Sequence, residues 1–340
     1  IDERQRSKGD SVFNMQKVTH SEYIAQKKPL AKQLLAKLNE KYQYASVLIT
    51  DNYEKGYRAS RSGVAISATN AFGGKGMIVK VYDGKGYAEY STNEITAENL
   101  PEIEREIEQQ LMNPANFIPE GTEEAEYKCI SDEPCTLCEA TDYEIHPREV
   151  GDEKLIETVT ALREKAVKAD ERILDAITGF NYQEYHKLFL SANRELEQSV
   201  LYSTGIMALV AAKGEEIKQS FRGFSNLGGA ELLDKMESAI PQCVKTVTDL
   251  LNAEPMEPGT YECICTPEVT GMIVHEAFGH GVEMDMFVKD RALAQSYIGK
   301  QVASPLFTMH DGCAQRGVAT YFFDDGSQHE GTRLRQRNRR

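Results

Sequence analysis

The amino-acid sequence predicts an α+β fold in which antiparallel, twisted sheets pack against helices. Two stretches, residues 45–92 and 172–223, consist of short runs that alternate with period two and are separated by glycine-containing turns. Amphipathic segments with helical periodicity stand before and after these stretches. The length of 340 residues exceeds that of one typical hydrophobic core and therefore indicates more than one domain.

We expect three regions along the chain. Residues 1–115 form an N-terminal domain of a helix and an antiparallel meander, residues 116–149 an acidic linker or insertion, and residues 150–340 a second domain. In the second domain, an antiparallel sheet is expected to wrap around a buried helix. The polar start, IDERQRSKGD, is expected to be frayed.

The N-terminal region begins with an amphipathic helix from Ser21 to Tyr42, for which Ser21 is a suitable N-cap. The runs ASVLIT, GYRAS, GVAISAT, GMIVKVYDG and GYAEYS then predict the strands of the meander. The stretch FGGKG lacks the spacing and the following helix of a phosphate-binding loop, and is interpreted as a hairpin turn. A charged helix is expected over residues 94–111.

Residues 113–147 are rich in proline and acidic residues and predict a long irregular connection. Cys129, Cys135 and Cys138 lie in it, followed by His146, and two interpretations stay open. The four side chains could form a small structural zinc loop. The long first gap and the acidic surroundings favour a solvent-exposed insertion instead.

The second region starts with a predicted helix over residues 154–169, followed by four or five strands over residues 172–223 with turns at Ala192-Asn193 and Lys213-Gly214. A long helix is expected over residues 230–251, with a kink at Pro241. We expect a buried strand over residues 261–266 and another strand over residues 302–308.

The stretch TPEVTGMIVHEAFGHGVEMD, residues 266–285, carries the candidate chemistry. Thr266 is a suitable N-cap and Pro267 suits the first helical position. The helix that follows is apolar almost all round, which predicts that it is buried. It carries His275, Glu276 and His280, residue types from which hydrolytic zinc sites are built. A metal ion would satisfy these polar groups, although two hydrogen-bonded core histidines would also account for them.

The two histidines are five residues apart, and in a regular α-helix they would point roughly 140° away from each other. Gly279 and Gly281 flank the second histidine, and we expect them to let the helix widen into a π-type turn or unwind between Phe278 and Gly281. Glu283 and Asp285 follow directly. They are interpreted either as partners that orient the ring of His280 or as solvated acids.

The segment HEAFGHGVEMD, followed by KDRALAQSYIGKQVASPL, resembles the HExxxH region of the TldD/PmbA family of metallopeptidases, and specifically a TldD-type member. The resemblance includes SANRELEQSV, FRGFSNLGGAELL, PGTYECICTPEVTG and YFFDDGS, and extends over about residues 45–327. It implies a Zn²⁺-dependent peptidase that acts on extended or unfolded polypeptides. His275 and His280 would be the metal ligands, and Glu276 the general base that activates the attacking water.

In this family a downstream cysteine supplies the third protein ligand. The present chain ends at Arg340 with HEGTRLRQRNRR, which differs from the family's continuation, so the segment with that cysteine is expected to be missing. The resemblance further implies a homodimer or a heterodimer with a PmbA-type subunit. The alternative function is that of a non-catalytic modulator subunit, of the kind associated with DNA gyrase.

Charge and composition limit the partners. The formal net charge of −14 argues against direct binding of a nucleic-acid backbone, which requires basic surface. The sequence has neither a long apolar run nor a charged and apolar leader, so we expect no membrane span and no signal peptide. Seven cysteines, an odd number, favour free thiols and a cytoplasmic location.

Overall fold

The structure is a computed structural model that describes residues 15–68, 74–112, 128–283, 286–287, 291–309 and 321–324. The predicted frayed start, the first two residues of FGGKG and Asp285 lie outside these residues. The chain divides into two compact units, residues 1–253 with 316–328, and residues 254–315 with 329–340. The domain limits expected at residues 115 and 150 stay a prediction, and strands from both sides of them pair in one sheet.

An eight-stranded sheet organises the first unit, in the order β10-β9-β8-β2-β4-β5, with β3 beside β2 and β6 beside β9. All neighbours are antiparallel except β6 and β9. A separate two-stranded sheet joins β1 to β7. The strands are β1 (Gln16–Lys17), β2 (Tyr44–Ser60), β3 (Gly63–Ala68), β4 (Gly76–Tyr82), β5 (Tyr87–Thr92), β6 (Cys135–Ala140), β7 (Asp142–Tyr143), β8 (Ile173–Ser191), β9 (Arg194–Lys213) and β10 (Glu216–Leu227).

The strands are fewer and longer than the sequence predicted. Residues 172–223 were expected to form four or five strands, but they belong to three long ones, joined at the two predicted turns. The predicted strands ASVLIT and GYRAS are likewise one strand, because the polar residues between them continue to pair with β8. Polarity on one face does not end a strand whose backbone stays hydrogen-bonded.

The helices agree better with the predicted pattern. They are α1 (Glu22–Lys41), α2 (Leu100–Met112), α3 (Pro147–Val150), α4 (Asp152–Lys168), α5 (Leu232–Leu250) and α6 (Pro267–Val274). The Ser21 hydroxyl accepts the N–H of Ile24 at 3.1 Å and caps α1 as predicted. The second helix begins later than expected because Thr96 and Asn99 form a turn, in which each side chain accepts the other's backbone N–H. Pro241 lies inside α5.

Two hydrophobic clusters lie on the helix-covered face of the sheet. One packs against α4 and α5 and includes Phe180 and Tyr182, and the other packs against α1 and α2 and includes Leu188 and Leu190. Between them along β8, Glu184 and His186 are buried polar residues. Ser199, also buried, lies opposite His186 on β9. We call Glu184, His186 and Ser199 the polar seam.

The connection over residues 113–147 is less irregular than predicted in the part that is described. Its residues 135–140 form β6, whose backbone pairs in parallel with Arg194–Ser199 of β9. Cys138 lies on this strand with an exposed side chain and Cys135 is half-buried. The sequence could not indicate this pairing, because its partner strand lies more than fifty residues away.

The second unit corrects three expectations. No residue of α6 is buried, and Met272, for example, is 67% exposed. Residues 261–266 and 302–308 form no strand. Because no strand is present among the described residues 254–283, 286–287 and 291–309, no sheet there covers the apolar side chains of α6. An apolar sequence favours burial, but burial also requires a packing partner.

Within the described residues, no helix is long and apolar enough to span a bilayer.

Candidate metal centre

The helix that carries the candidate site begins where the sequence predicted. Thr266 has extended backbone angles, and its carbonyl accepts the N–H of Thr270 at 2.8 Å. Pro267 occupies the first turn, where its missing N–H costs no hydrogen bond. The Thr266 hydroxyl makes no capping hydrogen bond, so this start depends on Pro267 and the backbone.

The helix changes type at the histidines. After α6, residues His275–Gly279 are π-helical, and the N–H of His280 is directed at the carbonyl of His275, five residues back. Residues His280–Val282 then form a 3₁₀ turn. The predicted π-type widening is therefore present, but it begins at His275 rather than at Phe278. Gly279 has φ −56° and ψ −53°, an ordinary helical conformation that any residue can adopt. The expectation that the helix widens through the conformational freedom of glycine is therefore wrong at this residue.

The widened turn brings the three candidate residues together. One possible ligand atom from each of His275, Glu276 and His280 lies within 4.8 Å of the others. The two imidazole rings have centroids 4.3 Å apart at an interplanar angle of 66°. Glu276 Oε2 is 3.8 Å from His280 Nε2. A π turn has more residues than an α turn, which is why positions i and i+5 share one side here.

Glu283 fixes the orientation of His280. Its Oε1 lies 2.8 Å from His280 Nδ1. An ionised carboxylate only accepts hydrogen bonds, so Nδ1 carries the hydrogen and the lone pair of Nε2 is free for a metal ion. The sequence allows two interpretations of Glu283, as a residue that orients His280 or as a solvated acid. The spacing of three residues between His280 and Glu283 favours the first, because residues i and i+3 are neighbours on a helical turn.

Two imidazoles are donors that suit zinc, and the carboxylate beside them can serve either as a third donor or as a base for a bound water. In a tetrahedral site with zinc–nitrogen bonds of about 2.0–2.1 Å, ligand atoms lie roughly 3.3–3.5 Å apart. The side chains are exposed, so small rotations suffice to contract a group spread over 4.8 Å. The residues present therefore fit the ion. Among the described residues, this is the one group of three histidine, cysteine or acidic side chains close enough together to hold a metal ion. Cys129, Cys135 and Cys138 do not form such a group.

Comparisons with known proteins find similar sequences and a similar fold. Residues 258–338 match the PmbA/TldA metallopeptidase C-terminal domain. A metalloprotease from Methanothermobacter thermautotrophicus is 28% identical over 117 residues, which is 34% of this chain and 26% of the relative. A metalloprotease from Methanocaldococcus jannaschii is 20% identical over 295 residues, which is 86% of this chain and 63% of the relative. The chain thus spans less than two thirds of the length of either relative.

A solved structure from Thermotoga maritima, described as that of a proposed modulator of a DNA gyrase, has the same fold with a TM-score of 0.68. The similarity covers 88% of this chain and 66% of the other at 14% sequence identity. The mixed helix and antiparallel sheet architecture predicted from the sequence is thereby confirmed. Residues 258–338 are thus similar to the C-terminal domain of PmbA/TldA metallopeptidases, and the chain is similar in sequence to metalloproteases and in fold to the Thermotoga maritima protein.

Proposed function

We propose that this chain belongs to a zinc-dependent peptidase that cleaves extended or unfolded polypeptides, with His275 and His280 as metal ligands and Glu276 as general base. The supporting observation is the π turn, which gathers the three side chains within 4.8 Å of one another although their spacing would separate them in an α-helix. The metalloprotease relatives support the same class of reaction.

Each residue has a distinct task in this proposal. His280 presents Nε2 because Glu283 occupies its Nδ1. Zinc, when bound by the two imidazoles, supplies Lewis acidity toward the scissile carbonyl. Glu276, whose carboxylate lies 3.8 Å from His280 Nε2, accepts the proton of the attacking water and returns it to the leaving amine.

The exposure of the site supports the proposed substrate class. His280 and Glu276 have side chains 48% and 66% exposed. An extended polypeptide leaves its backbone carbonyls free of intrachain hydrogen bonds, so it can present one to such a site, whereas the carbonyls of folded proteins are mostly paired. Maturation or degradation of unfolded peptides fits this requirement.

The second candidate is a non-catalytic modulator subunit, and one specific observation favours it. The Thermotoga maritima protein with the same fold is described as a proposed modulator of a DNA gyrase. The net charge of −14 argues that such a subunit acts through protein contacts and not on DNA directly.

The cellular setting is part of the proposal. We place the protein in the cytoplasm, as a homodimer or in a heterodimer with a PmbA-type subunit. Cys129, Cys138, Cys243, Cys263 and Cys265 are free thiols, which supports a reducing compartment.

The test measures zinc content and cleavage of an unstructured peptide on the same preparations. We expect about one zinc per wild-type chain, and His275→Ala or His280→Ala should abolish it. Glu276→Gln should keep the zinc and lower turnover by roughly 10²–10⁴-fold, because it removes only the base. Glu262→Gln serves as the control, because Glu262 is exposed and the substitution removes one negative charge, as Glu276→Gln does.

The outcomes separate the alternatives. Zinc without chelator-sensitive cleavage in the wild type would favour the modulator function. Loss of zinc in Glu276→Gln would make Glu276 a ligand instead of the base. A wild-type chain without zinc would reject the metal centre.

A further inference from the structure

Cys138 lies beside the imidazole ring of His20 in the first unit. Cys138 belongs to β6, and His20 stands just before α1. The Cys138 Sγ atom is 3.5 Å from His20 Nε2, although the two residues are 118 positions apart in the sequence. The Cys138 side chain is exposed, and that of His20 is 37% exposed. An ion in the solvent can therefore reach both donor atoms.

The other cysteine of the CTLC stretch points away from this pair. Successive residues of a strand alternate between the two faces of the sheet, so Cys135 and Cys138, three residues apart, lie on opposite faces. Cys135 packs against the hydrophobic cluster that contains Phe323. The two sulfurs cannot meet at one ion while β6 is intact. His20 instead takes the place that the second cysteine has in a Cys-x-x-Cys zinc loop.

A chain of hydrogen bonds fixes the orientation of the His20 ring. Its Nδ1 lies 3.0 Å from the Ser199 hydroxyl and 3.6 Å from Glu197 Oε1. The same hydroxyl lies 2.9 Å from Nδ1 of His186, its neighbour in the polar seam. An ionised carboxylate only accepts hydrogen bonds, so Nδ1 of His20 carries the hydrogen and the lone pair of Nε2 is directed at Cys138. Histidines that bind metal ions are usually held by such partners.

We propose that Cys138 and His20 bind a thiophilic divalent cation of the zinc class, with water in its remaining positions. Zinc–sulfur bonds of about 2.3 Å and zinc–nitrogen bonds of about 2.0–2.1 Å, at a tetrahedral angle, place two ligand atoms about 3.5 Å apart. The observed 3.5 Å between Sγ and Nε2 meets this distance without movement of either side chain. On binding, the S–H bond of Cys138 breaks, a bond from sulfur to the metal forms, and the proton leaves to the solvent.

The surroundings of the sulfur favour a cation over a nucleophilic reaction. Nucleophilic cysteines lie in electropositive surroundings that lower the pKa of the thiol. Here partial burial raises the pKa of Cys138, and the Glu197 carboxylate raises it further, although Lys28 opposes this shift. A protonated thiol is a poor nucleophile, whereas a bound metal ion stabilises the thiolate directly.

The ion connects two segments that are distant in the sequence. The helix α1, which follows His20, packs against β2 and β8, whereas β6 pairs with β9. A ligand that binds only the folded chain stabilises it by mass action, which makes this a structural site. It does not depend on the proposed peptidase centre, whose donor atoms are nitrogen and oxygen.

Cobalt binding tests the site, because a thiolate bound to Co²⁺ absorbs in the near ultraviolet and the proposed peptidase centre contains no sulfur. The full chain is used with serine at four other cysteines, which are Cys129, Cys263, Cys265 and Cys313. We expect a single Co²⁺ to produce the absorption band and Zn²⁺ to remove it by displacement. Cys138→Ser should abolish the band. Cys135→Ser, the matched control on the same strand, should leave it unchanged.

Replacement of the imidazole tests the second ligand. His20→Ala should weaken cobalt binding by at least about tenfold, since the loss of even an outer partner of a metal ligand costs roughly 10–100-fold. Circular dichroism checks that each variant is folded. His20→Gln, which keeps a polar side chain before α1, repeats the measurement if alanine disturbs the fold.

Alkylation of the wild-type chain gives a readout that is specific to the sulfur. Zn²⁺ should slow the reaction of Cys138 with iodoacetamide by at least about tenfold, because the metal occupies the electron pair that attacks the reagent. Cys129, another exposed thiol, should react at an unchanged rate. Peptide mass spectrometry follows the two thiols separately, and a chelator should restore the reaction of Cys138.

Three results would overturn the proposal. These are a chain without a sulfur-dependent cobalt band, a band that survives Cys138→Ser or disappears in Cys135→Ser, and cobalt binding that is indifferent to both changes of His20. Because His275 and His280 cannot produce this band, failure here leaves the peptidase proposal intact, and a chain without peptidase activity can still bind the ion at Cys138.

Discussion

The contact between Glu283 and His280 shows how one residue prepares the candidate centre. Glu283 Oε1 lies 2.8 Å from His280 Nδ1, and the carboxylate can only accept this hydrogen bond. The ring is thereby held in one orientation and one tautomer, with Nε2 directed away from Glu283. Partners of this kind also increase the basicity of a ligating imidazole. Glu283 is therefore a positioning residue and not a ligand in our assignment.

We expect Glu283→Ala to weaken zinc binding by roughly 10–100-fold, the usual effect of losing such a partner. Glu283→Gln should lose less, because its side-chain carbonyl can still accept the hydrogen of Nδ1. Competition with a chromophoric chelator measures the affinity without relying on activity. Glu262→Gln is the matched surface control, and unchanged affinity in Glu283→Ala would contradict the positioning role.

At the scale of the element, the π turn explains how an HExxxH spacing forms one centre. The sequence predicts that the flanking glycines allow this turn. The structure shows Gly279 in a conformation open to any residue, and an added Cβ there would come no closer than 3.7 Å to a neighbouring atom. A Cβ on Gly281 would lie 4.0 Å from Ala294 Cβ. The turn therefore does not need glycine at either position.

We predict that Gly279→Ala retains the full zinc content of the wild type. Alanine is the better helix former by about 1 kcal/mol in a helix interior, so the thermal midpoint of the variant should rise or stay unchanged. Metal analysis and thermal unfolding check both results, with Gly281→Ala as the companion variant. Loss of zinc in Gly279→Ala would restore the explanation that the turn depends on glycine.

Elements with local signals were predicted well, and elements that depend on distant partners were not. The cap and apolar stripe of α1 are encoded within the helix itself. By contrast, β6 exists because its backbone pairs with β9, and β2 continues through polar residues because β8 does. The same reason applies to α6. Its residue types and its start were predictable, but the exposure of its apolar side chains depends on what packs beside it.

At the scale of the whole molecule, the polar seam separates the two hydrophobic clusters on the helix-covered face of the sheet. Glu184 lies 2.7 Å from Arg148 Nε, and 3.6 Å from Nε2 of both His146 and His186. His186 continues the network through Nδ1 to the Ser199 hydroxyl at 2.9 Å. His186 is buried, because α1 and α4 pack against β8 on the two sides of the seam.

Burial and neighbouring charge make this network sensitive to acid. Burial lowers the pKa of His146 below its ordinary value, although the carboxylate of Glu184 opposes this shift. Burial raises the pKa of Glu184, but the hydrogen bond from His186 and the charge of Arg148 outweigh it and lower that pKa overall. In both cases the unfolded chain takes up a proton at a higher pH than the folded one. Acidification therefore favours unfolding, below about pH 6.5 for His146 and below about pH 4.5 for Glu184.

We predict that the free energy of unfolding of the wild-type chain falls between pH 7.5 and pH 5.5, and that His146→Asn falls less over this range. His146 also caps α3, with Nδ1 accepting the N–H of Arg148 at 3.2 Å, and the side-chain carbonyl of asparagine can take over this bond. His146→Ala loses the cap as well, so it should be less stable by about 1 kcal/mol at both pH values. Urea unfolding followed by circular dichroism at the two pH values measures all three chains. An equal loss of stability in wild type and His146→Asn would show that His146 does not titrate with folding over this pH range.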